Sequence, residues 1–104
     1  MQAQQQVAVD AYTKEAHLNL TPVQVIHRLY SYAILGCKKE DPVLAQRALN
    51  ELILALDFDH KDIAMGLFRL YNYCKGCIQE HKYPQAIEIL EELRATWARA
   101  FHTS

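Results

Sequence analysis

Glycine and proline are scarce in this 104-residue chain, with three of each. Turn-dense β folds draw on both, so their scarcity points to compact helices joined by short connections. An excess of one charge is also missing. Eleven Lys and Arg stand against twelve Asp and Glu, for a formal net charge of −1. With the basic residues scattered, there is no stripe of the kind nucleic-acid binding requires, and no DNA or RNA partner is expected. The longest apolar run, Leu52 to Leu56, is far short of the ~20 residues that cross a bilayer, so no membrane insertion is expected. The opening Met1-Gln2-Ala3-Gln4-Gln5-Gln6 has neither a basic flank nor an apolar core, so it does not read as a secretory leader, and a cytoplasmic location is expected. Three cysteines, an odd number, suit a reducing compartment in which thiols behave as small hydrophobes.

What the chain does have is apolar helix. Hydrophobic residues make up 51% of it, enough for one domain that buries about 65% of its unfolded surface without staples. Residues 1–6 form a polar lead expected to be mobile. Val9, Tyr12 and Ala16 then lie at helical spacing, so a short helix over 7–16 is expected, with too little apolar surface to stand alone. Thr21 is a good N-cap, Pro22 suits the first helical position, and Gln24 is placed to reach back as in a capping box. A helix over about 21–38 follows, ending near Gly36. Its apolar residues Val25, Ile26, Leu29, Tyr30, Ala33, Ile34 and Cys37 make a stripe broader than one core-facing seam needs.

Asp41-Pro42 repeats the cap-then-proline start and predicts a second helix over about 42–57, with its seam along Ala45, Ala48, Leu49, Leu52, Ile53 and Leu56. Leu54 and Ala55 lie off that seam, leaving more apolar area over. A third helix is predicted over about 60–81, with Phe58 and Ile63 as a staple at its start and Ile63, Leu67, Leu70, Tyr71, Cys74 and Ile78 on one face. Tyr83-Pro84 separates it from a last helix over about 84–102, which turns Ile87, Leu90, Leu93, Trp97 and Phe101 inward. Helices of these lengths with short connections run antiparallel to their neighbours, so the fold class is all-α: an antiparallel four-helix bundle with a short extra N-terminal helix, in a single domain.

Few residues suggest chemistry. Cys74-x-x-Cys77-x-x-x-His81 places three metal-ligand types on neighbouring helical faces, but a structural zinc takes four ligands and no second pair has matching spacing. A reactive thiolate is favoured at a helix N-terminus, and this pair sits well inside, so core cysteine is the reading. There is no Gly-rich phosphate loop and no Glu-x-x-His pair on two helices. No catalytic residue, metal or cofactor is expected, and the chain does not read as an enzyme. Tyr30-x-Tyr32 and Tyr71-x-Tyr73 are more telling. Residues two apart on a helix point about 200° away from each other, so one of each pair is left outside the core or at its rim. Such rings either sit at the rim with the hydroxyl in water or line a partner groove.

Leu20-Thr21-Pro22, Leu29-Tyr30 with Ala33, Leu56-Asp57, Leu70-Tyr71-Asn72-Tyr73 and Trp97 occur in the order and at the spacing seen in one family. From about Ala11 to Phe101 the chain resembles the flagellin-specific export chaperones of bacterial flagella. The resemblance implies a small helical bundle without catalytic activity that holds the disordered C-terminal segment of flagellin, preventing premature polymerisation and aiding secretion. The contact residues expected on this reading are Tyr12, Leu29, Tyr30, Ala33, Leu56, Leu67, Leu70, Tyr71 and Tyr73. The 7–16 segment is expected to shelter the groove in the free protein, which would be a monomer or weak dimer. The chain departs from the family's pattern where Ser31-Tyr32 replaces Asp-Gly and where Asp59-His60-Lys61-Asp62 stands in place of a Gly-Gly pair. A related helical adaptor for a non-flagellin partner, or a homodimeric structural bundle, therefore stays open beside the chaperone.

Overall fold

In the computed structural model, which describes residues 20–101, helix α1 (Pro22–Lys38) starts on a complete capping box. The Gln24 N–H donates to Thr21 Oγ1 at 3.2 Å, and the Thr21 N–H donates to Gln24 Oε1 at 2.8 Å. Two N-terminal donors that the helix cannot satisfy internally are thus paired. Helix α2 (Pro42–Leu54) is capped by Asp41, whose Oδ1 accepts the Leu44 N–H at 3.1 Å. Helices α3 (Lys61–Gln79) and α4 (Tyr83–Phe101) complete an all-α antiparallel bundle. The predicted 7–16 helix and residue 102 lie outside the described residues.

Two boundaries differ from expectation. Helix α2 stops at Leu54 instead of running to Asp57, because the Asp57 carboxylate accepts the Asp59 N–H at 2.9 Å and folds Phe58–His60 into a 3₁₀ turn. That leaves α3 without a side-chain cap at His60. The expected staple is not formed as a buried contact, since Phe58 and Ile63 are both exposed. Helix α1 ends at Lys38 as expected, with Gly36 inside its last turn, and closes on Glu40 in the left-handed region at φ 52°. There the Asp41 N–H donates to the Gly36 carbonyl at 2.7 Å, in the manner of a Schellman motif. Helix α3 closes in the same way around His81 at φ 59°, with the Lys82 N–H donating to the Cys77 carbonyl at 2.7 Å.

The helices pack as a square. Helix α1 lies against α2 and α4, and α3 closes the square on the same two. The polar ties across α1 and α4 fix their opposed directions. Trp97 Nε1 donates to the Val23 carbonyl at 2.9 Å, Arg94 donates to Ser31 Oγ at 3.1 Å, and Lys38 pairs with Glu91 at 3.4 Å. Between α2 and α3, Lys75 Nζ donates to Asn50 Oδ1 at 2.6 Å, and Gln46 Nε2 donates to the Lys75 carbonyl at 3.1 Å. Across the diagonal, Tyr30 of α1 and Tyr71 of α3 join hydroxyls at 2.6 Å inside the core.

The core is closed at one end only. There Ala33, Gly36, Ala45, Ala48 and Ala86 let the helices approach closely around Leu49, Cys37, Cys74, Ile78 and Leu90. A Cβ on Gly36 would come within 2.6 Å of the Ala45 backbone nitrogen, so α1 and α2 touch nearly backbone to backbone. At the other end, Val23, Val25, Ile26, Ile53, Leu56, Met65, Leu67, Phe68, Leu93 and Trp97 are only half-buried. Larger side chains stand there in place of the alanines and glycine of the closed end.

Candidate partner-binding face

Of the exposed large apolar residues, Leu54, Phe58, Ile63 and Phe101 lie at that open end, Leu70 and Tyr73 lie farther along α3, and Leu35 and Val43 lie at the closed end. Leu54 closes α2, Phe58 sits in the 3₁₀ turn, and Ile63, Leu70 and Tyr73 line the outer side of α3. Their exposures are 64%, 51%, 68%, 39% and 55%, too high for core residues at the margin of a finished interior. The half-buried Leu56 and Leu67 join them to the core cluster. Isolated apolar side chains on a surface are ordinary, whereas several grouped beside an unclosed core mark a surface that association would cover. Full cover of one such side chain is worth about 1.5–3 kcal/mol.

The nine residues expected to contact a partner fall into separate groups. Leu70 and Tyr73 are exposed, and Leu56 and Leu67 are half-buried. Leu29, Tyr30, Ala33 and Tyr71 are corrected to core residues: none exposes more than 8% of its surface. Periodicity marks them as apolar and helical, but it does not say that the other three helices cover them. Tyr12 lies outside the described residues. Each tyrosine pair does split as two-apart spacing requires, with Tyr30 and Tyr71 inside, Tyr73 out and Tyr32 at the rim. The sequence reading did not pick Leu54, Phe58 and Ile63 as contacts. Leu54 carried a signal, since it lies off its helix's seam. Ile63 carried none, because its spacing matches the inward stripe although it is 68% exposed.

Charge around the face is mixed. Asp57, Asp59 and Asp62 alternate with His60, Lys61 and Arg69, all exposed. The Asp57 to His60 pair at 3.9 Å is open to water and contributes little. Burial pushes the Cys74 thiol up to about 12 and the Cys37 thiol up to about 11, with the neighbouring thiols adding to the rise, so neither is a thiolate near neutrality. Burial also holds the Tyr71 phenol far above the ordinary tyrosine range, and its bond to Tyr30 adds to the effect. Among the described residues no group of three or more His, Cys, Asp or Glu is arranged to hold a metal, and no helix is long and apolar enough to cross a membrane. Compared with known proteins, the chain matches no family model, no curated protein and no solved structure.

Proposed function

We propose that this protein is an export chaperone that holds the disordered C-terminal segment of flagellin, laying it along the open end of the bundle. The observation that carries the reading is the exposure of Leu54, Phe58 and Ile63 at the end of the bundle where Ile53, Leu56, Leu67 and Trp97 are only half-buried, with Leu70 exposed farther along α3. The choice of flagellin comes from the resemblance in the Leu29-Tyr30, Leu56-Asp57 and Leu70-Tyr71-Asn72-Tyr73 motifs. An amphipathic segment that becomes helical on the face would present apolar residues every third or fourth position to it. Apolar burial would drive binding, and the cost of ordering the segment would hold the affinity down, which suits a guest that must later be released. A guest held in this way is kept from polymerising and remains unfolded enough to be exported.

Calorimetric titration of a flagellin C-terminal peptide tests the reading. Saturable binding is expected, weakened at least ~10-fold by Phe58→Glu or Leu70→Glu, each of which sets a charge where an apolar contact forms. Val43→Glu is the control, since Val43 is 64% exposed but sits at the far end of α2. Absence of binding by the parent protein, or equal binding by all three variants, would overturn the proposal.

A further inference from the structure

The outward side of α3 carries a glycine at its centre. A Cβ added to Gly66 would meet no described residue within 4 Å, so none of the described residues requires glycine there, and glycine is a poor helix former. At 100° per residue, Ile63 and Leu70 fall on one flank of Gly66, and Asp62 and Arg69 fall on the other. All four flanking residues are exposed. Asp62 and Arg69 make no ion pair with each other or with any other described residue. Two copies of a helix related by a twofold axis perpendicular to it, lying in the plane of contact, run antiparallel and bring like flanks together. Here that operation sets Ile63 against Leu70 of the second copy on one side and Asp62 against its Arg69 on the other. The midpoints of both pairs fall next to Gly66, so the two registers agree, and the missing side chain lies where the helices would cross most closely.

We propose that two copies of this chain associate through α3, antiparallel and crossing at Gly66. Charge complementarity selects the second copy as occupant, since the acidic and basic residues are spaced to pair with their own reverse. The patch is small, so the dimer is weak and reversible. The inference stands on α3 and does not rest on the guest-binding proposal, but Ile63 and Leu70 serve both, so the second copy and a guest exclude each other there.

Sedimentation equilibrium on the full chain, without peptide, tests it. A monomer–dimer equilibrium is expected at micromolar to millimolar concentration. Asp62→Arg sets like charges together twice, as does Arg69→Asp, and each is expected to weaken the dimer about 10-fold or more. The double swap D62R/R69D restores opposite charges and is expected to recover most of that loss. Gly66→Leu should leave helicity and thermal unfolding intact, because the new side chain has open space in a single molecule, yet abolish the dimer. A chain that stays monomeric throughout would overturn the proposal, as would a dimer indifferent to Asp62→Arg and Gly66→Leu. Failure of the double swap to recover what the single changes lose would do the same.

Discussion

Tyr30 and Tyr71 meet on the bundle's diagonal, with hydroxyls 2.6 Å apart, rings tilted at 58° and 2% of each residue exposed. A polar pair this deep is tolerated because each hydroxyl satisfies the other. Tyr30→Phe leaves the Tyr71 hydroxyl buried without its partner, and Tyr71→Phe does the reverse, so each should cost about 1–3 kcal/mol. The double Phe variant removes both polar groups and should be less destabilised than the sum of the two, an outcome that urea unfolding of the four proteins would read. Tyr71→Ala empties the site and should cost about 3–5 kcal/mol, similar to other buried aromatic truncations. Loss of guest binding in that variant would therefore report unfolding, whereas the same loss in Leu70→Glu would report contact.

At the scale of the helix, two positions at the turn of the α1–α2 hairpin place opposite demands on a small residue. Gly36 sits where α1 and α2 touch, and an alanine there would set its Cβ 2.6 and 2.9 Å from the Ala45 backbone. Backbone cannot rotate aside, so Gly36→Ala should destabilise by about 1–3 kcal/mol despite its better helix propensity. Glu40 four residues later has the reverse problem. It holds φ at 52° with an exposed side chain, a conformation that costs an L-residue about 1 kcal/mol and costs glycine little. Glu40→Gly should therefore stabilise, by up to about 1 kcal/mol. Thermal melts of the two variants should move in opposite directions.

Over the whole molecule, one end of the bundle is dry and close-packed while the other is half open, and acid–base behaviour reports the dry end. Cys37, Cys74 and Cys77 are all buried there as free thiols. Burial raises Cys37 to about 11 and Cys74 to about 12 from an ordinary value of 9.0, so the unfolded chain releases these protons first. Their contribution to stability is complete below about pH 9 and is lost as pH climbs through 11 and 12. The buried Tyr30 and Tyr71 phenols shift in the same direction. Urea midpoints should thus fall progressively above pH 9. At pH 8 a thiol reagent should label the native protein far more slowly than the unfolded chain, at a rate that rises with denaturant.

Much of this architecture was set locally and so could be read from the residues in order. Thr21-Pro22-x-Gln24 and Asp41-Pro42 announce two helix starts because a cap is chemistry between residues three apart. The spacing of Ala45, Ala48, Leu49 and Leu52 fixes the inward side of α2 for the same kind of reason. The early stop of α2 was not legible, since it turns on whether Asp57 caps a 3₁₀ turn or continues a helix, two local options close in energy. Still less legible was which apolar residues remain outside. Ile63 and Tyr71 belong to the same periodic stripe of α3, yet one is 68% exposed and the other 2%. The sequence by itself determined the helices, their caps and their oily sides, because these depend on neighbours along the chain. Only the tertiary structure decided where those sides are covered, because small residues pack closely at one end while the larger ones at the other stay half-buried, and that depends on four helices at once.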